Sequence, residues 1–413
     1  MTPAMRGEPR AEPGQNGGGL RGRAKALLDQ GAFAEAEPLY LQLTQKFPEV
    51  RRYRTLYARA AIEACRSLAD SGPRRRELTR YVVESVAAGG TDDDRAQAMW
   101  LLSMLCAWPE GREILAGIAD SSASLKDVRT GIQFIPRYFE PGARGALWSR
   151  LLSQIDGLAR VAGAEGQIPA GELTLRLLLA LERFPEFVTG FDNCRAALEG
   201  SKFLPVLQRV SERLAKPRRE VFLEPKVFGI GLSRTGTTSL AEALNILGID
   251  AAHWTNPLTM QILSGIDFFL FGACTDCCVS PEFERLYHLY PNARFIFTRR
   301  PIADWVRSFW KHHERTSWAR DLNEFRTAFG ERPFPDAAIE FSLYAGNPDI
   351  AESYRAFEYR VEKFFADKPA SKLLRLDLSN GQGWPELCGF LGRTVPDVPF
   401  PRLNSLFPAE DQS

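Results

Sequence analysis

No run of apolar residues in this 413-residue chain approaches the roughly 18 to 20 that a membrane-crossing helix needs; the longest, about Ile266 to Cys274, is strand-sized. Neither sign of charge is in excess: 52 Lys and Arg against 51 Asp and Glu leave +1, so no global field draws the protein to nucleic acid or to an acidic membrane surface. Any anion site has to be local. Cysteine is sparse and odd in number, at seven, and the start lacks a charged segment followed by an apolar one, which argues against secretion and for reduced thiols. Gly and Pro, 33 and 27 residues, together make about 15%, below the roughly 25 to 30% of low-complexity chains. What remains is a globular, cytoplasmic protein of two or three domains.

The pattern divides the chain. Residues 1–19 are rich in Pro and Gly and have little to bury, which predicts a disordered tail. From 20 to 216 apolar residues recur three and four apart, as in Leu173, Leu177 and Leu181, between breakers such as Gly89-Gly90 and Pro141-Gly142, which predicts an all-helical domain. Within it Gly31, Phe33, Ala36, Tyr40 and Pro48 resemble the second half of a tetratricopeptide repeat, although Pro38 sits awkwardly inside a helix. An irregular helical solenoid is favoured over another kind of bundle. Residues 217–225 are charged, carry Pro217 and Pro225, and suit a linker. From 226 to 413 strands alternate with helices: KVFGIG (226–231), ARFIFT (293–298) and KLLRLDL (372–378) are the clearest strands. The fold class expected is α/β, a parallel sheet flanked by helices and preceded by the all-helical, repeat-like domain.

Between the first strand and an amphipathic helix stands GLSRTGTTS, Gly231 to Ser239. Against the phosphate-loop pattern G-x-x-x-x-G-K-[ST], Gly231, Gly236 and Thr238 fit, but Thr237 replaces the lysine. Gly236 lets backbone N–H groups converge on an anion, the helix N-terminus adds about half a charge, and Thr237, Thr238 and Ser239 add hydroxyls. Arg234 supplies a planar cationic fork, and Thr235 completes the cradle. A nucleoside triphosphate normally needs the lysine and a metal ion; a singly charged sulfuryl group needs less.

These residues resemble sulfotransferases that use 3′-phosphoadenosine 5′-phosphosulfate, in particular a P-loop family whose members begin G-[LI]-x-R-T-G-T-T-S. The resemblance covers about Lys226 to Phe407. It implies transfer of a sulfuryl group to a hydroxyl-bearing acceptor, with that nucleotide as co-substrate, no metal, and Arg234 to Ser239 holding the 5′-phosphosulfate. It also implies a 3′-phosphate site built from an arginine at a strand end and a serine eight residues on; Arg300 and Ser308 satisfy that spacing, with Arg299 the neighbouring alternative. The closing segment matches at Trp384, Phe390, Pro399, Pro401 and Asn404, with Trp384 and Phe390 expected in the core. The arginine-lysine-glycine loop of the cytosolic small-molecule enzymes is absent, so the resemblance does not extend to that branch.

Sulfuryl transfer to an alcohol needs a base for the acceptor proton. Asp276, at the end of the apolar stretch DFFLFGACTD, and His253, after the loop helix, are both candidates. His312 and His313 are expected on a polar helix face. Cys274 and Cys277 have C-x-x-C spacing but no second pair for a zinc site, so no metal is assigned. Two other readings stay open: a divergent P-loop kinase or nucleotide hydrolase, against which stand the missing lysine and the want of a clear acidic metal-binding strand end, and a non-catalytic helical scaffold with a relic nucleotide site. The helical domain is expected to present the acceptor or bind a protein partner.

Overall fold

The computed structural model describes residues 15–64, 72–86, 92–105, 107–316, 319–330 and 335–403. The chain divides into two compact units, Met1–Gly111 and Arg112–Ser413. In the first, the helices Gln15–Asp29, Phe33–Lys46, Arg52–Ala64, Gly72–Val86 and Asp92–Met104 bury apolar stripes against one another. The second of them carries Ala36, Tyr40 and Leu43 inward at helical spacing and continues past Pro38. Across the third and fourth, Tyr57 meets Tyr81 edge to face at 5.3 Å.

The second unit is built on a five-stranded parallel sheet: β1 (Val227–Gly229), β2 (Ala251–His253), β3 (Ala273–Thr275), β4 (Arg294–Thr298) and β5 (Leu373–Leu376), in the order β2-β3-β1-β4-β5. Parallel strands need crossovers, and helices supply them, burying both faces. The alternation of side chains along each strand decides what each face receives. Phe228, Phe295 and Phe297 enter one cluster with Phe268, Phe283 and Tyr290, and with Leu175, Phe187 and Leu207 from the helices ahead of the sheet. Val227 and Ile296 enter the other, with Leu240, Leu244, Trp384 and Leu387. Trp384 is therefore core, as expected, and Phe390 packs at the edge of the same cluster.

The charged stretch after residue 216 forms the short helix Arg218–Phe222, and Glu224 then accepts from Arg213 at 3.0 Å and from Lys216 at 2.8 Å. One element differs from the sequence reading. Most of DFFLF is helix, Gly265–Leu270, and only Ala273–Thr275 is strand. The reason is local: Asp267 reaches back to accept the Ser264 N–H at 2.9 Å, closing a helix N-terminus that apolar content alone conceals. Burial pushes the Asp267 carboxyl up to about 6. Lys226, at the foot of β1, is equally enclosed: its ammonium donates to the Phe269 and Phe271 carbonyls at 2.7 Å, and burial lowers it to about 8.

Candidate active site

The parallel order puts the C-terminal ends of all five strands on one edge, where open sheets of this kind hold ligands. The first loop leaves β1 and turns into the helix Thr237–Ile246. Gly231 is required by a close approach: a Cβ there would lie 1.8 Å from Thr298 Oγ1. Gly236 is required by its backbone, at φ +102, and by Leu378 Cδ1, 2.7 Å from where a Cβ would stand. Arg234 takes a left-handed conformation, φ 69, without being glycine, a strain of about 1 kcal/mol or more that its surroundings must hold. Thr235 Oγ1 donates to the Leu232 carbonyl at 2.6 Å and lies 2.6 Å from Thr298 Oγ1, while Trp305 Nε1 donates to the Ser233 carbonyl at 2.8 Å.

The second loop leaves β4 and enters the helix Ile302–Thr316. Its two arginines diverge. Arg299 pairs with Glu358, and its backbone N–H donates to the Leu376 carbonyl at 2.8 Å. Arg300 lines the same cleft as Arg234, Thr235, Gly236, Thr237, Thr238 and Ser239, and its Nη1 donates to the Arg234 carbonyl at 3.4 Å. Arg300 Nε is buried and has no hydrogen-bond partner among the described residues. Ser308 is fully buried and accepts from Arg234 Nε at 3.4 Å; it does not reach the cleft wall but touches the arginine that does.

The two base candidates meet. His253 at the end of β2 and Asp276 just beyond β3 sit on adjacent strands, with His253 Nε2 3.3 Å from Asp276 Oδ2. The same nitrogen lies 3.0 Å from Thr238 Oγ1, a cleft hydroxyl, and Nδ1 lies 3.0 Å from Thr275 Oγ1. Thr275 Oγ1 also lies 3.4 Å from the Thr237 carbonyl, to which it donates. Asp276 adopts φ 98, and its Oδ1 accepts from Cys277 N at 2.8 Å and from Thr237 Oγ1 at 3.2 Å. Asp276 therefore stands at a strand end beside the loop, because β3 is the neighbour of β1.

The rest of the cleft wall comes from Leu378, Ser379 and Gln382 after β5 and from Phe400 to Leu403, of which the sequence reading singles out only Pro401. Leu403 N donates to Ser239 Oγ at 3.0 Å, which brings Arg402 to the cleft as a third cation. The closing-segment likeness contained that arginine, but no spacing pointed to it. Asn404 lies outside the described residues. His313 is buried, not on a polar face; Phe309, Phe325 and Phe329 surround it, with Glu340 Oε2 3.7 Å away. Cys274, Cys277 and Cys278 are buried free thiols, each pushed up by burial. Among the described residues no group of three or more His, Cys, Asp or Glu side chains is placed to hold a metal ion, and no helix is long and apolar enough to cross a membrane.

Comparison with curated proteins gives no match. The family model of the sulfotransferase domain matches residues 226–270 and 268–406, the part of the chain that carries the sheet, both loops and the closing segment. Arg234, Arg300, His253 and Asp276 all fall within it. The parallel α/β sheet with both loops on one edge, preceded by an all-helical region, is thus the part of the chain that matches the sulfotransferase-domain family.

Proposed function

We propose that the domain moves the sulfuryl group of 3′-phosphoadenosine 5′-phosphosulfate to a hydroxyl acceptor. The observation that carries this reading is one cleft with a separate strand-end arginine from each of two loops, Arg234 and Arg300. The residues fit a donor with two anionic ends: the buried, unpartnered Arg300 Nε is a donor that a phosphate oxygen would satisfy, and the Gly236 backbone opens the loop amides to the other end. The bound nucleotide would supply a sulfuryl group on a phosphate leaving group.

The chain's own residues do the rest. Arg234 and the amides of residues 236 to 239 hold the sulfonate end and stabilise charge as it develops there. Ser308 fixes the Arg234 guanidinium, and Arg300 takes the 3′-phosphate. His253 is the base. With its Nδ1–H donated to Thr275, Nε2 carries the lone pair that faces Thr238 Oγ1; that hydroxyl gives its proton to Nε2 as it takes the acceptor's, and the imidazolium so formed faces the Asp276 carboxylate. Asp276 is the weaker candidate for proton transfer because Oδ1 already accepts from Cys277 N and Thr237. Its role is to orient and stabilise His253.

Calorimetric titration tests the donor site. Adenosine 3′,5′-bisphosphate is expected to bind at least tenfold tighter than 5′-AMP, since a charge-assisted contact to phosphate is worth about 1.5 to 3 kcal/mol; equal binding defeats the reading. Labelled sulfate transfer into a cell extract then identifies the acceptor. One observation favours a second reading: Asp276 at the β3 end, touching a loop hydroxyl, is the arrangement a Mg²⁺-nucleotide enzyme uses. Thr237 in place of the lysine weighs against it, and Mg²⁺-dependent turnover of ATP would establish it.

A further inference from the structure

Each of the two loops is closed by the hydroxyl of one buried tyrosine from a distant segment. Tyr354, on the helix Ile350–Phe365, accepts the Arg300 N–H at 3.0 Å and donates to the Arg300 carbonyl at 3.0 Å. Tyr344 accepts the Ser233 N–H at 3.2 Å and donates to Ser233 Oγ at 3.2 Å. A phenol has a single proton, so each hydroxyl commits its one donor, and one lone pair, to a single loop residue. Both rings are buried and both flank Trp305, at 6.1 Å for Tyr344 and 4.9 Å for Tyr354, while Trp305 itself holds the Ser233 carbonyl.

Nothing else in these contacts serves packing alone. A phenylalanine would fill either site, yet a hydroxyl is spent on the backbone of Arg300 and another on the residue before Arg234. We infer that Tyr354 and Tyr344 are positioning residues that set the two ends of the nucleotide site separately, Tyr354 the Arg300 loop and Tyr344 the Arg234 loop. The inference rests on the donor reading above. Burial raises both hydroxyls above the ordinary tyrosine range, so both keep the proton they donate at neutral pH.

The test compares binding of adenosine 3′,5′-bisphosphate and 5′-AMP to the full chain and to Tyr354→Phe and Tyr344→Phe, below each variant's unfolding temperature. Tyr354→Phe should lose roughly tenfold in bisphosphate affinity and keep 5′-AMP affinity within about twofold. Tyr344→Phe should lose affinity for both nucleotides by the same factor, since both carry the 5′ group. A Tyr354→Phe protein that weakens both ligands equally, or neither, overturns the assignment. Wild-type protein that does not distinguish the nucleotides overturns the donor reading first and the assignment with it, which keeps the two failures apart. Should Tyr354→Phe not fold, tetrafluorotyrosine at position 354 keeps the ring and both bonds. Bisphosphate binding should then weaken as its more acidic hydroxyl ionises while 5′-AMP binding holds, and parallel titration of both would overturn the inference.

Discussion

The two loops of the sheet edge each take one remote tyrosine hydroxyl but differ in what else holds them. The loop after β1 draws much of its path from its own sequence: Gly231 and Gly236 permit it, Thr235 closes it onto Leu232, and the next helix begins within it, while Tyr344 and Trp305 hold Ser233. The loop after β4 has no glycine. It is held by Tyr354, Glu358 and Leu376, all more than fifty residues away along the chain. A loop of the first kind announces itself as a motif; a loop of the second kind is only two arginines until the rest of the domain folds around it. They meet at Thr298, the last residue of β4, which lies against Thr235 and occupies the space that a side chain at Gly231 would need.

That meeting point is where the difference can be broken most severely. Gly231→Ala would drive a methyl into Thr298 and Thr235, and the expected loss is about 3 kcal/mol or more of stability, together with nucleotide binding. Chemical denaturation reads it, and an unchanged midpoint would show that the first loop does not depend on this approach.

A smaller, chemical effect separates binding from proton transfer. His253→Gln is expected to lower kcat by about 10² to 10⁴-fold with adenosine 3′,5′-bisphosphate affinity nearly unchanged. Asp276→Asn should cost less, because the imidazole remains. If the order of the two variants is reversed, Asp276 is the base and His253 its partner.

The most gradual effect lies at the common root of the loop-bearing strands, where the Lys226 carbonyl accepts the Arg294 N–H at 2.9 Å. The Lys226 ammonium is pushed down by burial to about 8, below its ordinary value of 10.5. Between those values the unfolded chain holds more protons, so this residue's contribution to stability rises with pH through that window, by at most about 1.4 kcal/mol per pH unit. Subtracting the pH profile of Lys226→Met from that of the wild type should show a rise between pH 8 and 10.5. A flat difference would mean that the ammonium titrates alike folded and unfolded.

Much of this site was legible beforehand for reasons that particular residues make clear. Gly231 and Gly236 between a strand and a helix, with Arg234 between them, specify an anion loop because few other sequences can follow that path. The strands around 227, 294 and 373 were readable from short apolar runs between breakers. The DFFLF run misled because apolar content does not distinguish a buried helix from a buried strand, and the Asp267 to Ser264 contact that decides it is a single hydrogen bond. His313 is the opposite case: a polar residue on a helix reads as part of a solvated face, and it faces three phenylalanines.

From its order of residues alone the chain determined its α/β class, the glycine-framed loop between β1 and its helix, and the identity of the candidate arginines and bases, because these follow from backbone freedom, periodicity and charge within a few neighbouring positions. Only the tertiary structure decided that His253 and Asp276 form a pair, that Arg300 and not Arg299 shares the cleft with Arg234, and that two remote tyrosines close the loops. Those outcomes depend on strand order and on hydrogen bonds spanning 22 to 111 residues, and no local pattern encodes which distant groups a folded sheet will bring to one edge.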